Sequence, residues 1–91
     1  MLKLHTLKKE MRAYAKANGL VILAFIRETY SNEVIGVAIK KTIILANTPL
    51  YCFGRLFHLS DTQCVFDQCG CYFTNDEREV RKEAYKYFGI K

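Results

Sequence analysis

LVILAFIRETYSNEVIGVAIK, residues 20–40, reads as two strands joined by a turn. Leu20 to Glu28 is a near-continuous apolar run rich in β-branched and aromatic residues, which predicts a central strand covered on both faces. Thr29-Tyr-Ser-Asn32 has turn composition. From Glu33 the chain alternates. Ile35, Val37 and Ile39 share one face, and Val34, Gly36, Ala38 and Lys40 the other. A period of two is the strand signature, so 20–28 and 33–40 pair as an antiparallel hairpin. The Lys40-Lys41-Thr42 break predicts a bulge or bend before Ile43–Ala46 continues.

Towards the C-terminus, Asn47-Thr-Pro49 reads as a turn and Leu50–Leu59 as a third strand. Its faces are Tyr51, Phe53, Arg55, Phe57 and Leu59 against Leu50, Cys52, Gly54, Leu56 and His58. Ser60-Asp61-Thr62 is a loop. Gln63–Phe66 and Cys71–Thr74 then suggest a second hairpin across Asp67-Gln-Cys-Gly70, with Asp67 opposite Cys71 and Phe66 opposite Tyr72. The last helix spans 76–88, with Thr74 and Glu77 as a capping box or Asn75 as the cap. Val80, Ala84 and Phe88 form its apolar stripe, and Gly89-Ile90 its stop. Towards the N-terminus, Leu4, Leu7, Met11, Tyr14 and Ala15 form an apolar stripe on a helix over 6–18, capped by Thr6 and stopped by Asn18-Gly19. The expected fold is α+β: an antiparallel sheet of four to five strands flanked by an N-terminal and a C-terminal helix, in a single domain over residues 1–91.

Charge is uneven. The net +5 sits mostly in residues 1–19, where Lys3, Lys8, Lys9, Arg12 and Lys16 face Glu10 alone. With Thr6 as the cap, Lys8 and Lys9 fall in the first helical turn, where the macrodipole disfavours cations. The last helix is arranged the opposite way, acids first and bases last, as helix stability alone would dictate. Lys8, Lys9, Arg12 and Lys16, with Lys40 and Lys41 as a smaller cluster, are therefore the candidate contacts to an anionic partner. The order helix, strands, helix resembles that of the double-stranded-RNA-binding domain. Asn75-Asp76-Glu77 places acid where that family has a lysine pair, so the resemblance rests on element order and assigns no site residue.

All four cysteines, Cys52, Cys64, Cys69 and Cys71, fall within one short window with His58 beside them. Zinc sites are usually built from C-x2–4-C pairs on tight turns, and only Cys64-x4-Cys69 loosely fits that spacing here, so the thiols read first as small buried apolar groups. No set of acids, serines or histidines forms a catalytic constellation, and the glycines occur singly, so neither an enzyme nor a phosphate-cradling loop is indicated. No apolar run approaches the roughly 18 residues a membrane span needs, and the charged start is unlike a secretory signal; both point to the cytoplasm.

What stands out instead is surplus apolar strand surface. Hydrophobic residues make up 51% of a 91-residue chain, more than a sheet with two helices readily covers. Tyr51, Phe53, Arg55 and Phe57 are the candidate interface, to another protein or to a second copy as a homodimer. The function expected is a small non-enzymatic binding protein acting through protein–protein contact, an accessory or inhibitor protein of the kind viruses and mobile elements encode, with no cofactor and no catalytic residue. Two alternatives stand beside it: a small basic nucleic-acid-binding protein using the N-terminal helix, and a zinc-stabilised domain built on the four cysteines.

Overall fold

The computed structural model describes residues 3–43, 49–60 and 63–90. Helix α1, Leu4–Ala17, starts earlier than Thr6. Lys3 is the extended N-cap and makes no side-chain cap bond, while its carbonyl already accepts from Leu7 N at 3.0 Å. A threonine cap contributes only about 1 kcal/mol. Extension through Leu4 and His5 adds two helical residues at no steric cost. Thr6 is therefore inside the helix, and Lys8 and Lys9 lie in its second turn rather than its first. The stop falls where the sequence puts it: Asn18 N bonds Tyr14 O and Ala15 O, and Gly19 takes φ +68°.

Four strands follow, β1 Leu20–Arg27, β2 Val34–Ile43, β3 Pro49–Ser60 and β4 Gln63–Phe73, all antiparallel and ordered β1-β2-β3-β4. Helix α2, Glu77–Phe88, completes an α+β arrangement in which the two helices flank a four-stranded antiparallel sheet. Alternation along β2 and β3 separates two cores. Ala38 and Leu56 join Met11, Ala15 and Leu20 under α1. Val37, Ile39, Tyr51 and Phe53 join Val80 and Ala84 under α2. The helices thus cover opposite faces of one sheet. Among the described residues, no helix is long and apolar enough to cross a membrane.

Strand β1 lies at the sheet edge, not the centre, because each connection returns the chain beside the strand it has just left. Its apolar character on both faces has another cause. The register with β2 shifts between Ile22 and Ala24, leaving Leu23 as an extra residue. Leu20, Ile22 and Phe25 then pack on the α1 side, and Leu23 and Ile26 on the α2 side. At Lys40-Lys41-Thr42 there is no bulge: the β2–β3 ladder runs unshifted from Gly36↔Leu56 to Ile43↔Pro49. Beyond Leu20↔Lys40, β2 has lost β1 as a neighbour, so charged side chains there reach water. The expected continuation through Ala46 and the turn at Asn47-Thr48 lie outside the described residues, as do Asp61 and Thr62.

The second hairpin does not form. Residues 63–73 are one strand paired along β3, and a register shift leaves Cys69 unpaired between Gly54↔Gln68 and Phe53↔Gly70. A hairpin at 67–70 would have left half of the 12-residue β3 paired with β2 alone, its other row of backbone groups unmatched. The turn-like Asp67-Gln-Cys-Gly70 therefore makes a bulge, and Gly70 there and Gly54 on β3 answer to packing. A Cβ on Gly70 would stand 2.6 Å from Cε2 of Phe53, and one on Gly54 would stand 2.1 Å from the Asp67 carbonyl oxygen. Asp67 consequently faces Arg55, Phe66 faces Leu56 and Cys71 faces Cys52.

Asp76, rather than Thr74 or Asn75, caps α2, accepting from Arg78 N at 3.0 Å. Thr74 Oγ1 accepts from Asp76 N and donates to Glu79 instead. An acid at the N-cap both satisfies a free N–H and meets the positive end of the helix. Gly89 at φ +68° and the Ile90 N to Tyr85 O bond of 2.8 Å end the helix in the Schellman form that Gly-then-apolar composition predicts.

Candidate functional site

The face that carries unneutralised charge is built by α1 against the edge strand β1. Lys8, Arg12 and Lys16 recur every four residues and so lie along one flank of the helix. That flank leans over β1: Lys8 Nζ is 5.3 Å and Arg12 Cζ 5.1 Å from the Phe25 ring centroid. Arg12, Ala15 and Lys16 form one wall of an open groove of about 570 Å³, and Leu20, Ile22 and Phe25 of β1 line the other. Among the described residues β1 pairs with β2 alone, so its outer row of backbone donors and acceptors has no strand partner.

None of Lys3, Lys8, Lys9, Arg12 and Lys16 has an ion-pair partner among the described residues, whereas Arg55, Arg78 and Arg81 are each paired with acid. The helix's own acid, Glu10, cannot neutralise the flank because it points the other way, to His58 Nε2 on β3 at 3.2 Å. Lys9 turns to solvent. Lys40 shares the α1 side of β2 with Ala38, but Lys41, one residue on, projects to the α2 side and sits 5.7 Å over the Tyr51 ring. The six bases proposed from sequence thus divide: Lys8, Arg12 and Lys16 line one flank, with Lys40 on the same side of the sheet, Lys9 turns to solvent, and Lys41 is on the opposite side.

The candidate interface on β3 is mostly consumed by packing. Tyr51 and Phe53 are 6% and 3% exposed beneath α2. Phe53 stacks on Tyr72 and meets Tyr87 and Phe88 edge-on, with centroids 5.4 to 6.3 Å away. These two residues are core, because α2 docks over the half of β3 that holds them. Phe57 is half-buried under the Arg55 guanidinium, whose Cζ lies 4.7 Å from its ring centroid. Arg55 itself is fully committed. Its Nη1 donates to Glu28 Oε2 at 2.6 Å and contacts the Tyr30 hydroxyl at 2.6 Å, and its Nε donates to Asp67 at 3.3 Å.

Tyr30 also donates to Glu28, in a very short hydrogen bond. Burial alone would raise the Glu28 carboxyl, but the hydrogen bonds from Tyr30 and Arg55 and the Arg55 charge bring it below its usual value. Tyr30, Glu28 and Asp67 had no signal in the sequence beyond turn composition. They meet only because the β1–β2 turn folds back over the sheet and the β3–β4 register sets Asp67 beside Arg55. In this cluster one guanidinium ties two acids, from the β1 end and from β4, to β3.

The four thiols do not converge. Cys64 packs under α1 beside His58, its register partner, and Cys69 packs on the α2 side. Burial pushes both thiols up, which weakens them as nucleophiles. Cys52 and Cys71 form a separate pair with sulfurs 3.1 Å apart. Among the described residues no group of three or more His, Cys, Asp or Glu side chains could hold a metal ion, so the four-cysteine zinc site expected as an alternative is not assembled. Two features separate the thiols: the bulge sends Cys69 to the α2 side, and Cys64 pairs with His58, well along β3 from Cys52 and Cys71. No family model, no curated protein and no solved structure matches this chain.

Proposed function

We propose that the protein is a small non-enzymatic binding protein that acts through contact with another protein, taking an acidic, extended segment of that partner into the groove between α1 and β1. The observation that carries this reading is the alignment of Lys8, Arg12 and Lys16, without acid partners among the described residues, along a sheet edge that has no strand partner. An open edge offers backbone hydrogen bonds to an added strand, and flanking pockets read alternate side chains. The apolar floor of Ile22 and Phe25 would take alternate apolar residues, and the basic wall their acidic neighbours. The same bases support a second reading, a phosphate backbone, which needs their charge but neither the open backbone edge nor the apolar floor.

The test is fluorescence anisotropy with a labelled peptide of alternating Glu and Val, set against a Lys/Val peptide and against generic DNA and RNA, each titrated with salt. The acidic peptide is expected to bind, and Arg12→Glu with Lys16→Glu to weaken it about tenfold or more, roughly 1.4 kcal/mol. Equal binding of acidic and basic peptides would overturn the reading. Tighter binding of nucleic acid than of peptide, lost steeply with salt, would replace it with the phosphate one.

A further inference from the structure

Cys52 and Cys71 stand directly opposite each other on β3 and β4, with their sulfurs in contact at 3.1 Å. Directly opposed residues of antiparallel strands have Cα atoms about 4.5 or 5.5 Å apart. Both values fall inside the roughly 4.4–6.8 Å that a disulfide spans. Bond formation here therefore requires the two sulfurs to close on each other without a change of register. The two positions also differ in a useful way. Cys52 is 6% exposed, while Cys71 faces solvent. Gln68 Nε2 donates to the Cys71 sulfur at 2.7 Å. Burial, and then the hydrogen bond with Cys71, push the Cys52 thiol up to about 11, so Cys52 keeps its proton and can donate it to Cys71. The exposed Cys71 sulfur can be reached first by a small disulfide, and the buried Cys52 sulfur already touches it, which is the placement of an attacking thiol and a resolving thiol.

We propose that Cys52 and Cys71 are a reversible dithiol–disulfide pair that exchanges with low-molecular-weight disulfides of the glutathione class. The Cys71 thiolate attacks one sulfur of the disulfide, forms a mixed disulfide and releases one glutathione thiolate, which takes up a proton. Cys52 then loses its proton to solvent and attacks the Cys71 sulfur, displacing the second glutathione. The protein gives up two hydrogens with their electrons, and one glutathione disulfide becomes two glutathione thiols. Excess glutathione runs the same steps backwards. Cys64 and Cys69 take no part, one beside His58 and the other on the opposite face of the sheet.

The full chain is equilibrated in mixtures of reduced and oxidised glutathione, quenched with an alkylating agent, and read by intact mass and peptide mapping. Two alkyl groups, on Cys64 and Cys69, with a Cys52–Cys71 cross-link, are expected on the oxidising side, and four alkyl groups on the reducing side. Cys52→Ser should stop at a stable glutathione adduct on Cys71, and Cys71→Ser should leave Cys52 free to alkylate. A first disulfide between any other pair would overturn the proposal. So would the absence of a disulfide at every ratio, or an adduct on Cys64 or Cys69 in the Cys52→Ser protein.

Discussion

Gly54 and Gly36 occupy neighbouring strands on the same side of the sheet, yet they answer to different constraints. A methyl group at Gly54 would lie 2.1 Å from the Asp67 carbonyl oxygen, which belongs to the bulged backbone and cannot move aside. At Gly36 it would meet Leu56, Phe25 and Met11 at 3.5 to 3.6 Å, ordinary contact distances. Gly54→Ala is therefore expected to cost about 3 kcal/mol in urea denaturation, and Gly36→Ala to stay within about 1 kcal/mol of the parent. Glu28 contributes to the acid limb of stability. Its carboxyl lies below its ordinary 4.5, held there by Tyr30 and Arg55 against the effect of burial. The charged form is favoured by folding, so its contribution is complete above about 4.5 and is lost as pH falls through the lower folded value. Thermal melts from pH 6 downwards should show the parent losing stability below 4.5, and Glu28→Gln losing less over that window because it starts without this contribution.

Among the elements, α1 carries charge that its own stability uses only at Lys16, which lies in its last turn. Its bases have no ion-pair partners among the described residues, and Lys8 and Arg12 contribute only through the Phe25 ring, by about 0.5–1 kcal/mol each at an exposed site. Lys16→Gln, which removes a last-turn cation worth about 0.3–1 kcal/mol, is accordingly expected to lower the melting temperature only slightly while it weakens binding of the acidic peptide. A large drop in melting temperature would show instead that this flank serves the fold. Helix α2 is the opposite case. Its acids lead and its bases follow, Asp76 caps it, and Arg81 pairs with Glu77 four residues earlier, so its charges are explained within the helix.

The molecule as a whole depends on both helices because the sheet has two apolar faces. Ala84 is fully buried between α2 and the core that contains Tyr51 and Phe53. Placing a charge there, Ala84→Glu, should cost about 4 kcal/mol and uncover those aromatics. Binding of a hydrophobic dye, with larger species in size-exclusion chromatography, checks this. The face so exposed is the one whose surplus apolar surface reads from sequence as an interface. Tyr51 and Phe53 of that face are covered within the chain.

Periodicity, stop signals and the chain's order determined the α+β class, both helices, the first three strands and the assignment of alternate residues to faces. Each of these depends on neighbours within a few positions, where backbone geometry is set by local sterics and hydrogen bonding. The tertiary structure alone decided the rest. Asp67–Gly70 has turn composition, and it became a bulge because β3 needed a full-length partner. β1 looks central, and a one-residue shift at Leu23 lets it be apolar on both sides at an edge. Tyr51 and Phe53 alternate like an exposed face, and α2 covers them. The basic flank was legible as charge on a helix. That it borders an open strand edge, and that Glu10 turns away to His58, follows from how α1 is rotated on the sheet, which burial of Met11 and Ala15 fixes. Register and helix docking are long-range choices between apolar surfaces of similar composition, and no local pattern encodes which of them meet.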